Sequence, residues 1–341
     1  TSWAIEKDTI QASYTEFTNN MARGKGEIMV LKTTRISPYK HPIKKDTKDN
    51  IEYYLYMLPV LVLIFIFSYI PLIGNVIAFQ DYKAGSSFIS ANTTWVGLKH
   101  FQDFLSSYYF TRIIRNTVFL NLLKLFMGFW VPIAFALLLN EVVFSKLRKV
   151  VQTVSYMPHF ISSVVVASMF LSYISSDGIV VKLLSIFGIE VSSLNTNAAF
   201  FPWYYTFIGV WQSFGWSSIL YLSTITSIDL ALYEAVDMDG GGRWAKIWHI
   251  ILPELRPLIV IQLIFNIGGM FGSNTEMMLL LYNPSVYSTA DTIGTYVYRD
   301  SLLGGKYSYG TACSLLLSIF SFILVWTANI TSRKVADFSL W

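Results

Sequence analysis

The sequence predicts an all-α membrane protein with six transmembrane helices. Three observations carry this. Hydrophobic residues make up 54% of the 341 and charged residues only 13%, whereas a soluble domain is about a quarter charged. The deficit is gathered into long windows with at most one charge, each near the ~20 residues that a helix needs to cross a bilayer core. Lys and Arg collect in alternate loops between those windows.

The elements follow in order. Residues 1–50 are polar and Lys-rich and read as a cytoplasmic N-terminal tail, in which Met21 and Met29 are alternative starts. The remainder, 51–341, holds the spans. Tyr53–Gln80 is charge-free and carries Pro59 and Pro71, which membrane helices tolerate when neighbours re-satisfy the backbone. Asn116–Asn140 is interrupted only by Lys124, whose long side chain can snorkel. Val150–Ser176 gives the third span. Val191–Ile228 is too long for one crossing, and Pro202 places the start of the fourth helix at Trp203. Pro257–Tyr282 gives the fifth and contains Glu276; Tyr307–Ser332 gives the sixth. The loops at 81–112 and 283–306 are long enough for short surface helices. Trp95–Leu105 places Leu98, Phe101, Phe104 and Leu105 in an amphipathic, interfacial pattern.

Orientation follows from the positive-inside bias. With the N-terminus in the cytoplasm, the inner side holds nine Lys/Arg in the tail and eight in the loops and C-terminus, against seven outside. Both termini are therefore expected in the cytoplasm, as is the polar stretch 234–257.

Composition also excludes chemistries. Cys313 is the sole cysteine, so neither an intrachain disulfide nor a thiolate metal site is available. His41, His100, His159 and His249 share no metal-ligand spacing, and no cofactor is expected. Gly24-Lys-Gly26 and Gly304-Gly-Lys306 lack the spacing of a phosphate-cradling loop. No nucleic-acid signature appears, and the basic tail suits anionic lipid.

The most informative stretch reads Glu-Ala-Val-Asp-Met-Asp-Gly-Gly-Gly-Arg-Trp-Ala-Lys-Ile-Trp-His-Ile-Ile-Leu-Pro-Glu-Leu-Arg-Pro over 234–257. Three consecutive glycines cannot sustain a helix cheaply. They are expected to separate a helix ending near Met238 from one starting near Arg243, with Pro253 stopping the second short of the next span. Glu234, Ala235, Asp239, Gly240, Ile250, Leu252 and Pro253 match the EAA loop of ABC importer permeases, with Val236 and Gly241 in place of the usual alanines. The chain thus resembles a type I ABC importer permease. The resemblance implies that Glu234, Ala235, Asp239, Gly240, Gly241, Leu252 and Pro253 form the surface that couples to a separate ATPase.

Further blocks narrow the resemblance: Tyr69–Tyr82, Trp95–Leu98, Arg115–Thr117 and Ser155–Ser162 are similar to the polysaccharide-type carbohydrate permeases, among them those for alginate and pectin-derived oligosaccharides. The resemblance implies a bacterial cytoplasmic (inner) membrane protein that performs no covalent chemistry. It implies a second, non-identical permease, two ATP-binding subunits, an extracytoplasmic sugar-binding protein and an oligosaccharide substrate moved by alternating access. Sugars present apolar ring faces and many hydroxyls, so aromatics beside amides and carboxylates suit them. Trp211, Trp216, Tyr221, Asn266, Asn274 and Glu276 in the fourth and fifth spans are the path candidates, with Gln212 and Ser217 beside them. Helix packing is the competing role for each. Glu276 leads, because an intramembrane carboxylate faces the interior or a cavity. An ion-coupled secondary transporter and a non-transporting receptor are the other readings. The first needs a mid-membrane ion site, for which only Glu276 and Lys124 are at hand. The second leaves 234–257 unexplained.

Overall fold

The computed structural model describes residues 47–86, 93–191, 193–270 and 275–336. The chain divides into two units, Thr1–Leu63 and Ile64–Trp341. The described part of the first is helix α1 (Thr47–Ile64), with Pro59 inside it; the rest of the expected tail lies outside the described residues. The second unit holds α2 (Lys99–Leu105), α3 (Phe110–Asn140), α4 (Ser145–Tyr156), α5 (Ser163–Ile174), α6 (Ile179–Ile186), α7 (Phe201–Thr226), α8 (Leu230–Met238), α9 (Arg243–Gly269), α10 (Thr275–Leu281) and α11 (Tyr307–Ala336). Among the described residues the only β pairing is one isolated bridge, Gln80 with Trp95.

Five helical stretches are long and apolar enough to cross a membrane, and the bent pair α7–α8 supplies a sixth. None of the apolar window of Tyr53–Phe79 is buried by the chain itself. The sequence windows therefore find six crossings, but several differ from expectation in form.

The third crossing is displaced: the stretch long and apolar enough to span is Ser163–Ile186, not Val150–Ser176, and the chain breaks before it. The chain runs antiparallel to α7 from Ser155 to Phe170: Ser155 meets Gly215, Ile161 meets Gln212, and Phe170 packs on Phe207 and Trp211. Between α4 and α5, Met157–Phe160 winds as a 3-10 turn and Ile161 is extended. Pro158 has no N–H to continue α4. The Ser162 side chain then caps α5 by accepting the Val164 N–H at 3.3 Å. The Gln212 amide donates to the Ile161 carbonyl at 2.9 Å, satisfying a backbone group that the break exposes where lipid offers no partner.

The fourth helix starts at Phe201 rather than Trp203, because Pro202 sits in its first turn, where a missing N–H costs nothing. The fifth crossing corrects two expectations. Pro253 does not stop the helix: Ile247–Ile251 is a π turn, in which Leu252 N–H reaches back to the Ile247 carbonyl, and the helix runs through Pro253 and Pro257 to Gly269. A π offset re-phases the hydrogen-bond ladder and absorbs a proline. At its other end the span expected to reach Tyr282 stops at Gly269, and α10 is a separate short helix.

α2 also differs. Phe101 and Phe104 are buried, not membrane-facing, Phe101 with Ala78 and Ala312, Phe104 with Ile113, Tyr296 and Cys313; Leu98 and Leu105 remain exposed. Loop 283–306 holds the expected short turns, pinned by a Thr292–Thr295 capping box.

Two cores occupy opposite ends of α7. Near its start, Phe201, Tyr204, Tyr205 and Ile208 pack with Val166 and Ala167 of α5 and Met277, Met278 and Leu281 of α10. Near its end, Tyr221, Leu222 and Ile225 pack with Phe129, Ile133, Ala136 and Leu139 of α3 and Ile251 and Leu255 of α9.

Candidate functional site

The elbow between α7 and α9 is built by local chemistry. The chain bends by 68° between α7 and α8. The Asp229 carboxylate accepts the Ala231 N–H at 3.0 Å and caps α8. The other end of α8 closes with two crossed bonds, Gly240 N–H to Asp237 C=O at 3.1 Å and Gly241 N–H to Val236 C=O at 2.8 Å. This is a Schellman closure, with Gly240 at φ +75° where only glycine sits without strain. At Gly241 a Cβ would collide with the Val236 side chain. Lys246 of α9 returns to Asp237 at 2.6 Å, and Arg243 approaches Glu141 at 3.6 Å. Tyr233 turns inward against the second core. Burial, then the nearby Glu141 and Glu254, push its phenol pKa upward.

What this leaves outside is a mixed acidic and aromatic surface. Glu234, Ala235 and Asp239 are exposed, Met238 is 87% exposed, and Trp244 and Trp248 are 74% and 63% exposed. Gly240 and Pro253 are exposed as well, while Gly241 and Leu252 are half-buried. The structure thus brings all seven sequence-predicted coupling residues onto one helix–turn–helix.

The path candidates fare unevenly. Trp216 is 46% exposed and stacks flat on His159, centroids 4.7 Å apart and planes within 4°, with Phe160 edge-on. It therefore sits against the 3-10 turn that joins α4 to α5. Asn266 is exposed and lines a cavity of about 160 Å³ with Asn121 and Lys124 of α3 and Ser213 and Ser217 of α7. Trp211 is half-buried against Phe170 and the first core. Tyr221 is 3% exposed within the second core and does not line the cavity. Tyr221→Ala is then expected to cost about 3 kcal/mol by opening a cavity, read as a lower melting temperature of the purified protein and not as an altered sugar preference. Glu276 is not held inside a long span; it lies exposed in the first turn of α10. Asn274 lies outside the described residues.

Sequence reasoning passes over Asn121, Ser213 and His159 as path residues, and leaves Lys124 between a snorkelling role and a mid-membrane ion site. A signal was present: Gly209, Ser213, Trp216 and Ser217 recur at helical spacing and occupy one face of α7. The polar side chains of this cavity donate back to their own helices, Asn121 to Thr117 C=O, Asn266 to Gln262 C=O and Ser213 to Gly209 C=O. Their oxygens are left to accept from within the cavity.

At the opposite end from the elbow, Asp291 is fully buried between two cations, with Arg112 at 2.8 Å and Arg299 at 3.1 Å. Asn116 of α3 donates to the Ser288 and Asp291 carbonyls, and Thr117 accepts the Ile293 N–H. The network ties loop 283–306 to the start of α3. Burial works against the charge of Arg299, but Asp291 and Asp300 overcome it and hold its pKa above the usual guanidinium value.

Residues 128–337 match the protein family described as binding-protein-dependent transport system inner membrane component. The polygalacturonan/rhamnogalacturonan transport system permease protein YteP of Bacillus subtilis (strain 168) is 39% identical over 285 residues, 83% of this chain and 88% of that protein. Protein LplB of the same organism is 38% identical over 283 residues, 82% and 88% of the two chains. A chain of a bacterial ABC transporter involved in the import of the acidic polysaccharide alginate is similar in structure, with a TM-score of 0.78 at 37% identity over 86% of this chain and 98% of that one. A second structure of an alginate ABC transporter, in complex with an alginate pentasaccharide-bound periplasmic protein, gives 0.79 at 36% identity over 87% and 99%.

Proposed function

The chain belongs to the binding-protein-dependent transport system inner membrane components, as a multi-pass permease of sugar ABC transporters, and from that premise we propose that it forms half of an alternating-access pathway for oligosaccharides. ATP binding and hydrolysis take place on two partner subunits, and a second, non-identical permease completes the pathway. An extracytoplasmic sugar-binding protein delivers the substrate. Both termini lie on the cytoplasmic side of the bacterial inner membrane.

The observation that carries this reading is the elbow. A short capped helix with exposed Met238, Trp244 and Trp248 is a ready surface for a cleft on a partner. It is joined covalently to α7 and α9, whose other segments line the polar cavity. A push on α8 is therefore a push on the cavity walls. Co-purification of the ATPase pair with a tagged permease from native membranes tests the coupling, and recovery of the permease alone would count against it.

The path reading places Trp216 as the aromatic platform for a sugar ring. Trp216→Ala is expected to lower oligosaccharide uptake about tenfold, the worth of one aromatic contact, while Trp216→Phe keeps most of it. Uptake into reconstituted liposomes measures both. An alanine variant at the wild-type rate would place the path elsewhere.

Orientation has its own test. In a Cys313→Ser background, Ser285→Cys is expected to react with an impermeant thiol reagent in intact cells, whereas Met238→Cys reacts only after permeabilisation. Both native residues are exposed. Labelling of both in intact cells would invert or break the map.

A further inference from the structure

Resting on the permease reading, we propose that Lys124 is a specificity-determining residue that reads the carboxylate of an acidic sugar as it passes the polar cavity. Lys124 stands near the middle of α3, nine residues from Arg115 and seventeen from Glu141, its nearest charged neighbours along the helix. Those separations are about 13 Å and 25 Å of helix rise. A lysine stem reaches about 6 Å, so snorkelling to either flank falls short. The stem is directed across instead of along. Lys124 Cε is the nearest atom to where a Cβ on Gly209 of α7 would be, at 3.9 Å, and the side chain lines the cavity with Asn121, Ser213, Ser217 and Asn266.

Intramembrane cations normally pair with a carboxylate. Among the described residues, none of the ion pairs involves Lys124. The neighbours offer amide and hydroxyl oxygens, which solvate an ammonium without neutralising it. The cavity therefore holds one cation among neutral described neighbours. The same oxygens accept hydrogen bonds from sugar hydroxyls. Trp216 shares the face of α7 with Ser213 and Ser217, at helical spacing. Trp216 itself does not line the cavity; its ring stacks on His159. A uronic acid satisfies both features of the cavity at once, its hydroxyls meeting the oxygens and its carboxylate the ammonium. A neutral hexose leaves the lysine uncompensated.

The test uses the permease assembled with its partner permease, ATPases and binding protein in liposomes. The probes are trigalacturonate and its carboxyl-reduced counterpart. Lys124→Gln and Lys124→Met are expected to lower trigalacturonate uptake about ten- to hundredfold, the worth of a charge-assisted hydrogen bond. Lys124→Arg, which keeps the charge, is expected to restore most of it, and Lys124→Glu to remove it. Co-purification with the ATPase confirms that each variant has assembled. Trigalacturonate uptake by assembled Lys124→Gln at the wild-type rate would overturn the proposal. So would equal loss in Lys124→Arg and Lys124→Gln, which marks a packing role, and so would a wild-type transporter that takes only the reduced sugar. A wild-type assembly that moves no oligosaccharide defeats the permease reading instead, and is distinguishable from all of these.

Discussion

Gly240→Val is expected to abolish sugar uptake while leaving the protein inserted in the membrane. Gly240 holds φ +75° at the end of α8, and a β-branched residue there costs roughly 1–2 kcal/mol from backbone strain alone. No atom lies within 4 Å of the added Cβ, so the whole effect falls on the turn. The chain escapes by leaving the left-handed conformation, which breaks the Gly241 N–H to Val236 C=O bond and swings α8 away from Lys246 and α9. The exposed position of the turn protects the rest of the fold. Uptake and co-purification of the ATPase, measured together with membrane abundance, check this. Gly240→Asn, which tolerates the left-handed region better, is expected to retain substantial uptake. Normal uptake by the valine variant would mean that the elbow is not the coupling element.

Asp291→Ala is expected to be the most destabilising single change. The carboxylate is wholly buried and faces Arg112 and Arg299. Removing one member of a buried ion network leaves uncompensated charge, at a cost of about 3–5 kcal/mol. The two guanidiniums are 33% and 28% exposed, so partial hydration holds the loss near the lower figure. Loop 283–306 then detaches from the start of α3, because Asn116 and Thr117 hold it through carbonyl and N–H groups next to Asp291. Thermal unfolding of the purified permease measures the loss. Asp291→Asn keeps the shape and one acceptor and is expected to fall between alanine and wild type. An unchanged melting temperature in Asp291→Ala would show that the network is dispensable.

Much of this architecture is legible in the sequence because the bilayer imposes it. An uncharged window of span length has few alternatives to a membrane helix, and Gly240–Gly242 has few alternatives to a turn. The departures arise where tertiary context decides. The break at Met157–Ser162 carries no Lys, Arg, Asp or Glu, so a charge-free window runs straight across it; Pro158 and the capping Ser162 are the local signals. Pro253 reads as a stop, yet a π turn four residues earlier re-phases the helix, and only the folded backbone reveals that. Tyr221 and Trp216 look alike as aromatic residues on one helix. Five residues rotate by about 140°, which puts one in the core and the other against His159 and Phe160. The apolar run continues through Gly268-Gly269, so Glu276 reads as lying inside a span, whereas the helix ends at Gly269. Lys124 stays open between the interface and a mid-membrane site, since a sequence does not say which way a lysine stem turns.

The central claim is that this chain moves sugar only when an attached ATPase turns over. Proteoliposomes holding the permease, its partner permease, the ATPase pair and the sugar-binding protein, with ATP enclosed on the ATPase side, test it most directly. The predicted result is oligosaccharide uptake that requires ATP and binding protein, persists without any sodium or proton gradient, and stops when the ATPase is omitted. Uptake that proceeds without the ATPase and follows an imposed ion gradient would contradict the account and make the chain a secondary transporter.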